Sequence, residues 1–461
     1  MFCFTKFVLC KVYYTQKLRG VLIMNNEKEF KDLPEGWKWV RLEEDVILIT
    51  GSRPKGGAIE EGIPSLGGEH ITEDGRIIFT EQNAKYIPDK FFKLMPKGKV
   101  EVNDILINKD GANTGKVAIL KVKFHPHIAI NEHLFILRSK KLFEQKYLFY
   151  WLYSSFAQTE IKNRITGSAQ PGLSSSFIKN FFLPLPPLPE QRKIAEILET
   201  VDNIIEKTDK IIEKYKRIKQ GLMQDLLTKG IDENGNIRNE KTHKFKDSPL
   251  GRIPEEWEVV RLGEVAFITS SKRIYYNEYL TEGVPFFRSK EIIELSAGSF
   301  SGATLYISND KFKYIANKFG APEAGDILIT AVGTLGTVYL VKQEDLPFYF
   351  KDGNLLWIKL GENLNKLYFV KSFSPWFNIQ KDNLTIGTSQ SALTIEKLKE
   401  MLIPLPPLPE QQRIAEILSQ IDKTIEKEEQ YKEKLKRLKQ GLMGDLLTGK
   451  VRVNHLVEEE E

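Results

Sequence analysis

Apolar residues recur at alternating steps of four and three in two long stretches of the chain, residues 194–226 and 414–446. This spacing places the apolar side chains on one face of a helix and is typical of coiled coils. A helix over residues 190–227 would be about 57 Å long at a rise of about 1.5 Å per residue. The pattern therefore predicts two long helices that pack on each other.

The two stretches belong to a tandem duplication. Residues 184–229 and 404–449 are identical at 30 of 46 positions, at a constant offset of 220. Each copy begins Pro-Leu-Pro-Pro-Leu-Pro-Glu-Gln and ends Lys-Gln-Gly-Leu-Met-x-Asp-Leu-Leu-Thr. The prolines favour an extended approach, and the glutamate favours a helix start, where the first N–H groups are unpaired. Trp37 and Trp257, each in a Pro-Glu-x-Trp segment, open the two repeats at the same offset.

Between these markers the two repeats have diverged at most positions. Short β-branched and aromatic runs bounded by Gly, Pro, Asn and Asp predict mainly strands, with one helix over residues 144–161 and a counterpart near 364–377. Each repeat is expected to hold one compact α+β domain. The predicted division is a non-native or disordered extension (1–23), a first domain (24–183), a first helical spacer (184–229), a linker (230–256), a second domain (257–403), a second helical spacer (404–449) and an acidic tail (450–461).

Composition permits nucleic-acid binding without establishing it. The net charge is +5 and the pI is near 8.7, which is mildly basic. The only cysteines are Cys3 and Cys10, which excludes a disulfide framework and a zinc-binding cysteine cluster. No run is long and apolar enough to cross a bilayer, so a cytoplasmic protein is expected. The natural protein is expected to start at Met24, because the duplicated pattern begins only after it.

Patterns that would indicate catalysis are weak. Residues 111–117 resemble a phosphate-binding loop, but the spacing is one residue short and Val117 replaces the hydroxyl that binds magnesium. A turn between strands is the better interpretation. His125, His127 and His133 lack the spacing of a metal site, and they are expected to have a structural role or to lie on the surface. With no Gly-x-Ser-x-Gly segment and no glycine-rich dinucleotide fingerprint, the chain is expected to bind rather than to catalyse.

Several loop segments carry residues suited to reading a DNA duplex. Lysine and arginine neutralise phosphates, and arginine can pair with both acceptors of guanine. The candidates in the first domain are Ser52, Arg53, Lys55, His70, Lys109, Asn113, Lys116 and Gln170. Those in the second domain are Ser270, Lys272, Arg273, Tyr275, Arg288, Ser289, Lys290, Thr334 and Gln390. For any one of them an ordinary solvated side chain is the simpler interpretation, and the two glutamines could equally cap the turn before each helix.

The duplicated motifs resemble those of a known family. The Pro-Leu-Pro-Pro-Leu-Pro-Glu-Gln start, the Lys-Gln-Gly-Leu-Met-x-Asp-Leu-Leu-Thr ending, the Pro-Glu-x-Trp opening and the paired variable domains are similar to the specificity subunit of type I restriction-modification enzymes, over residues 33–448. The resemblance implies an α+β fold: two globular α/β target-recognition domains in tandem repeat, joined by two long antiparallel coiled-coil helices with pseudo-twofold symmetry. It also implies that each domain reads one half of a bipartite DNA target while the helices set the gap.

The same resemblance implies partners and a non-catalytic role. Double-stranded DNA, two methyltransferase subunits and two motor-nuclease subunits would bind the chain, and no membrane would. S-adenosylmethionine, ATP and magnesium would bind to those partner subunits, and no cofactor to this chain.

Three other interpretations of the sequence stay open. The helices could serve for packing alone, or the chain could be a cytoplasmic two-domain coiled-coil scaffold that reads no DNA. The third is a self-contained nuclease or methyltransferase with unrecognised motifs. It is disfavoured, because the Asn-Pro-Pro-aromatic or Asp-Pro-Pro-aromatic motif of amino-methyltransferases is missing from the sequence.

Overall fold

The computed structural model describes residues 33–167, 171–386 and 392–457. The described chain forms two compact units, one within Met1–Lys207 and Lys432–Glu461 and the other within Thr208–Tyr431. Each unit contains one α+β domain and a segment of each of two long helices. Among the described residues, no helix combines the length and the apolar character that a membrane crossing needs. The predicted extension and the predicted start at Met24 lie outside the described residues.

The duplicated stretches form two helices, Leu188–Thr228 and Leu408–Leu447, here named the first and the second long helix. The prediction of two long helices is confirmed. Both helices follow an extended proline-rich segment and carry a proline in the first turn, where a backbone N–H would have no partner within the helix. The predicted spacers also include the ends of two strands, Phe182–Leu185 and Leu402–Leu405.

Within each unit the segments of the two long helices run antiparallel. Three interhelix ion pairs, with N–O distances of 2.6 to 2.7 Å, are Asp202–Lys439 in the first unit and Lys216–Glu429 and Lys219–Asp422 in the second. In the second unit, rising residue numbers on one helix therefore meet falling numbers on the other. In the first unit Glu190 contacts Arg452, beyond the end of the second long helix, and Asp202 contacts Lys439, which gives the same direction. In the second unit Ile212, Ile421 and Ile425 form a buried cluster along this contact, as the heptad pattern predicts.

The first domain is built on two small sheets. The larger is antiparallel, in the spatial order Val46–Thr50, Leu134–Ser139, Ile105–Asn108 and Val117–Ile119. The smaller is mixed, in the order Tyr86–Ile87, Ile63–Leu66 and Ala129–Ile130. Two further antiparallel pairs are Lys38–Arg41 with Phe182–Leu185 and Ile165–Thr166 with Gly172–Leu173. The helices are Leu42–Asp45, Asp89–Leu94, Gln145–Tyr153 and Ser155–Asn163.

The second domain repeats this topology. Its larger sheet has the order Ala266–Thr269, Leu355–Leu360, Ile327–Thr330 and Val338–Leu340. Its smaller sheet has the order Tyr306–Ile307, Val284–Phe287 and Tyr349–Phe350. The further pairs are Glu258–Arg261 with Leu402–Leu405, and Thr385–Ile386 with Ala392–Leu393. The helices are Leu262–Val265, Ser289–Ser296, Asn309–Phe319, Lys366–Leu384 and Ile395–Glu400.

The helix predicted over residues 144–161 is present but broken. Ser154 has an extended backbone, ends the helix Gln145–Tyr153, and accepts a hydrogen bond at its hydroxyl from the N–H of Ala157 at the start of the next helix. A serine hydroxyl is a good N-cap, which explains the restart. The counterpart in the second domain is a single helix, Lys366–Leu384, that extends past the predicted end near residue 377.

The predicted linker and tail are more structured than expected. Residues 230–256 contain an antiparallel hairpin, Phe245–Ser248 with Gly251–Pro254, and Ile231 and Ile253 are buried in the core of the second unit. In the predicted tail, Val453 is buried in the core of the first unit. Apolar side chains within a mostly polar run therefore attach both segments to a domain core. Residues 458–461 lie outside the described part of the tail.

Candidate nucleic-acid interface

Glu190, in the first turn of the first long helix, is a buried carboxylate that joins three segments. It accepts a hydrogen bond from Nε1 of Trp37 (3.0 Å) and two from the guanidinium of Arg452, at 2.7 and 2.9 Å. Burial alone would raise the pKa of Glu190, but the hydrogen bonds from Arg452 and Trp37 outweigh it and hold the pKa below its ordinary value. The domain opening, the helix start and the segment after the second long helix are thereby held together.

The second unit has the same arrangement around Glu410. This carboxylate accepts hydrogen bonds from Nε1 of Trp257 (3.1 Å) and from both terminal nitrogens of Arg238, which follows the first long helix. The tryptophan and glutamate are 153 residues apart in both units, as the duplication requires. Arg238 and Arg452 are not related by the offset of 220, so the alignment of the repeats gave no signal for them.

The glutamine that follows each of these glutamates attaches the domain to the helix start. Oε1 of Gln191 accepts the N–H of Glu144 (2.8 Å), and Oε1 of Gln411 accepts the N–H of Asn365 (2.8 Å). Their Nε2 groups donate to backbone carbonyls on both sides, those of Leu142 and Pro186 for Gln191 and those of Asn363 and Pro406 for Gln411. The repeated Glu-Gln dipeptide is therefore a structural joint.

The candidate loops of the first domain meet at one edge of its sheets. Arg53 is exposed and forms an ion pair with Glu132 (3.3 Å), which lies on the loop after the strand Ala129–Ile130. Ser52 and Arg53 line a groove of about 150 Å³. The other polar residues lining this groove are Ser65, Lys85, Asn131, Glu132 and His133. Lys55, in the same loop as Arg53, is exposed.

Two further candidates lie on loops that contact this edge. The backbone N–H of Lys109 donates to the carbonyl of His133 (2.9 Å), next to Glu132. The side chain of Asn113 donates to the carbonyl of Gly68 (3.1 Å). The structure therefore brings Ser52, Arg53, Lys109 and Asn113 onto neighbouring loops.

His70 and Lys116 do not belong to this group. His70 is fully buried, and its ring nitrogens lie 2.9 Å from the N–H of Gly67 and 2.9 Å from the carbonyl of Asn83. A DNA contact by His70 would require this buried ring to leave both hydrogen-bond partners, and its assignment to DNA binding stays a prediction. Burial lowers the pKa of His70, which favours the neutral ring. Lys116 points to Glu73 (3.4 Å) in a separate cleft of about 640 Å³.

In the second domain the candidates converge on residues 352–355. Arg273 forms an ion pair with Asp352 (2.9 Å), the hydroxyl of Ser270 donates to the carbonyl of Leu355 (2.8 Å), and that of Ser289 donates to the carbonyl of Asn354 (3.2 Å). The N–H of Ala331 donates to the same Asn354 carbonyl (2.8 Å), which brings in the loop of the exposed Thr334.

Arg288 and Lys290 pair with carboxylates of the helix Ser289–Ser296. Arg288 pairs with Glu291 (2.8 Å), and hydrogen bonding to that buried carboxylate raises the pKa of Arg288. Lys290 lies 3.6 Å from Glu294 one turn along the helix. Lys272 and Tyr275 are exposed on the loop after Ala266–Thr269. Gln170 and Gln390 lie outside the described residues.

An arginine–carboxylate pair occupies the same place in both domains. Arg53 and Arg273 are related by the offset of 220, and so are Glu132 and Asp352. The guanidinium side chains stay 61% and 69% exposed. Sequence reasoning proposed the arginines but missed the carboxylates, although the shared offset was a signal that could have identified them.

The weaker motifs have structural roles. Residues 111–117 cover the turn between the antiparallel strands Ile105–Asn108 and Val117–Ile119 and the first residue of the second strand, as the turn interpretation predicted. Nδ1 of His125 lies 2.6 Å from the backbone oxygen of His127, and His133 pairs with Asp110 (2.6 Å). Within the described ranges, no three His, Cys, Asp or Glu side chains form a group that could hold a metal ion.

Comparison with known proteins identifies the family. The model for the type I restriction modification DNA specificity domain matches the chain twice, over residues 34–217 and 254–437. The chain is 32% identical over 457 residues to the type I restriction enzyme MjaVIII specificity subunit of Methanocaldococcus jannaschii, covering 95% of this chain and 99% of that protein. It is 31% identical over 439 residues to the putative MjaX specificity subunit of the same organism, covering 92% and 96%.

Solved structures agree at the level of the fold. The crystal structure of the type I restriction-modification S subunit from M. genitalium superposes with a TM-score of 0.56 at 16% identity, covering 92% of this chain and 98% of that chain. A chain from a structural study of complex assembly in the type I R-M system gives 0.54 at 21% identity, covering 91% and 100%.

The chain therefore belongs to the family of type I restriction-modification DNA specificity proteins. Within this family it is a specificity subunit with two DNA target-recognition domains in tandem. The resemblance and the α+β tandem fold inferred from the sequence are confirmed.

Proposed function

We propose that each domain reads one half of a bipartite DNA sequence through its edge loops. The observation that carries this proposal is the repeated pair, Arg53 with Glu132 and Arg273 with Asp352. It lies in the same place in both domains, on loops whose other residues differ between the repeats. A shared reading position surrounded by variable residues is what two domains with different half-sites require.

The chemistry of the pair favours base edges over phosphates. The carboxylate holds one side of the guanidinium, and the exposed remainder keeps N–H groups that can donate to O6 and N7 of guanine. A carboxylate at this position repels phosphates and can accept a hydrogen bond from the amino group of cytosine. Lys55, Lys109 and Lys272 are suited to the flanking phosphates, which supply affinity without sequence information.

We also propose that the long helices fix the gap between the half-sites and bind two methyltransferase subunits. The helices are continuous over 41 and 40 residues, about 60 Å at about 1.5 Å per residue. Reading sites on one face of a duplex recur about every 34 Å, which such a length can bridge. Two motor-nuclease subunits would complete the assembly. S-adenosylmethionine, ATP and magnesium would belong to the partner subunits, and this chain would be a non-catalytic subunit.

A single-molecule map of methylated adenines tests the proposal. DNA from cells that express this chain with its methyltransferase is compared with DNA from cells that lack only this chain. A new bipartite motif, methylated in both halves, is the expected result. A purified complex that forms normally yet produces no new methylation would contradict DNA reading and favour the scaffold alternative.

A further inference from the structure

In the second domain, a loop and a helix lie side by side. The loop spans residues 272–279, and the helix is Asn309–Phe319. Nζ of Lys272 lies 4.8 Å from the ring centre of Phe319 at the helix end, and Glu278 pairs with Lys311 (2.6 Å) near the helix start. On the inner side, Ile274 of the loop and Ile315 of the helix belong to one buried cluster. The loop is therefore fixed along the helix.

The outer side of this pair exposes four aromatic rings. Tyr275 is 64% exposed, Tyr276 89%, Tyr314 56% and Phe319 44%. Single exposed aromatics are ordinary, but several exposed rings on one loop and on the helix beside it indicate an interaction site. The name aromatic–lysine surface is used below for Lys272, Tyr275, Tyr276, Tyr314, Lys318 and Phe319.

The loop that carries the most exposed ring is ordered by its own contacts. The ring of Tyr276 meets that of Tyr279 edge to face at 6.0 Å, and Tyr279 packs in turn on the buried Phe286 at 5.2 Å. The N–H of Tyr275 donates to the carboxylate of Glu278 (2.8 Å). The hydrogen bond to Glu278 and the packing of Tyr279 order the backbone of the loop, so less conformational entropy is lost when the loop binds. The loop presents its aromatic faces to solvent.

The cations of this surface lie on aromatic rings. Nζ of Lys318 is 5.6 Å from the ring centre of Tyr314 and 5.4 Å from that of Phe319. In the part of the chain that the structure describes, neither Lys272 nor Lys318 forms an ion pair with a carboxylate. Their charge therefore stays available to an anionic partner. Positive charge interleaved with stacking faces is the pattern of surfaces that bind nucleic-acid strands and their bases.

We infer that the aromatic–lysine surface stacks on bases at an opened step of the half-site read by the second domain. Insertion of a side chain between base pairs unstacks them, and flexible steps open most easily. The first domain has Lys55 and Gly56 where the second has Tyr275 and Tyr276, and its corresponding helix, Asp89–Leu94, is only six residues long. The ease with which base pairs unstack would then contribute to recognition at one half-site, the one read by the second domain. This inference rests on the proposed function.

The test uses the complex with methyltransferase subunits and duplexes that carry the mapped target. Tyr275→Ala/Tyr276→Ala is compared with Tyr275→Phe/Tyr276→Phe, which keeps both rings, and with Phe267→Ala, an exposed aromatic on the strand Ala266–Thr269 of the same domain (66% exposed). We expect the alanine pair to weaken binding to the target at least about tenfold. The phenylalanine pair and Phe267→Ala should bind as the unmodified chain does.

Photo-cross-linking gives a direct second readout. Each thymine of the half-site read by the second domain is replaced in turn by 5-iododeoxyuridine, which cross-links to stacked aromatic rings. A cross-link to Tyr275 or Tyr276 that is lost in the alanine pair supports the inference. Unchanged affinity of the alanine pair, or no cross-link at any thymine, would overturn it.

A third outcome concerns protein partners. If the alanine pair kept its DNA affinity but assembled poorly with methyltransferase, the surface would be a protein contact and the inference would be wrong. Failure of the inference is distinguishable from failure of the proposed function. In the first case the unmodified complex still methylates a bipartite motif, and in the second it does not.

Discussion

Arg452 and Glu190 are 262 residues apart in the sequence and form a two-point ion pair with N–O distances of 2.7 and 2.9 Å. Glu190 is only 2% exposed. The contact attaches the segment after the second long helix to the start of the first. A buried carboxylate that loses its cation keeps the cost of desolvation without the compensating attraction.

Replacing Arg452 with alanine should therefore destabilise the first unit by about 3 kcal/mol, at the lower end for a broken buried pair because the arginine is partly exposed. Urea unfolding followed by tryptophan fluorescence measures the change. Lys450→Ala, two residues away and 69% exposed, is the control and should change stability by less than about 0.5 kcal/mol. An Arg452→Ala variant as stable as this control would show that the pair contributes nothing.

Arg238→Ala is the matched variant of the second unit. Arg238 is 8% exposed and faces the buried Glu410. Its replacement should therefore lower the free energy of unfolding of the second unit by about 3 to 5 kcal/mol, at least as much as Arg452→Ala lowers that of the first. The same unfolding measurement applies. A smaller loss than that of Arg452→Ala would contradict the dependence on burial.

The pKa of Glu190 also predicts a pH dependence. In the folded state this pKa lies below the ordinary value of 4.5. Ionised Glu190 therefore stabilises the fold above about pH 4.5, and this stabilisation is lost as the pH falls through the lowered pKa. Thermal unfolding is measured between pH 6 and about pH 3. As the pH falls, the unmodified chain should lose thermal stability more steeply than Glu190→Gln, which has no titrating group at this position. Parallel pH profiles for the two proteins would refute the assignment.

The paired arginines should act on different half-sites. We expect Arg53→Ala to relax methylation specificity at positions in one half of the motif, and Arg273→Ala at positions in the other. Each variant should lose about 1 to 3 kcal/mol of discrimination against the wrong base at the position that its arginine reads. Methylation maps of the two variants measure this. Lys90→Ala, a surface lysine of the first domain outside these loops, serves as the control. If both arginine variants changed the same half-site, separate reading by the two domains would be ruled out.

The carboxylate partners give a finer test of the same sites. Glu132→Gln and Asp352→Asn keep the shape of each side chain but release the arginine from its ion pair. We expect target affinity to change little while discrimination among bases at the corresponding position falls, because the arginine is no longer fixed in orientation. Competition binding with single-base variants of the target measures this. Undiminished discrimination would mean that the carboxylates do not orient the arginines.

The length of the helices should set the spacing of the target. Inserting one heptad in each long helix, opposite each other in the antiparallel pair, keeps the apolar face in register. The methylated motif should then keep both half-sites and change only the number of base pairs between them. The control is a variant with seven residues added in the loop near Asn234–Gly235, outside the helices. A changed half-site with an unchanged gap would contradict the role of the helices.

The local pattern predicted the repeated framework well. The 3.5-residue spacing gave both long helices, because one apolar face suffices to specify them. The proline-rich start gave the helix beginnings to within a few residues, and the β-branched runs gave the α+β character of each domain. The break at Ser154 was missed because the apolar pattern continues across it. The only local signal is the serine itself, which caps the next helix.

The candidate site was predicted by residue type and only partly by position. Arg53 and Arg273 lie on the proposed edges, but His70 is buried, because its ring completes backbone hydrogen bonds inside the domain. Nothing local in the sequence distinguishes such a histidine from an exposed one. The exposure of Tyr276 likewise depends on the fold, which buries Ile274 and packs Tyr279 against the same core cluster.

The sequence by itself determined the duplication, the two helices, the domain class and the family, since these follow from short-range periodicity and from motifs repeated at a fixed offset. The tertiary structure alone decided which charges are partners. Arg452 with Glu190 and Arg238 with Glu410 are separated by 262 and 172 residues, and such pairs form only when the fold brings distant segments together. The physical reason is that an ion pair depends on distance and burial in space, which the order of residues along the chain does not specify.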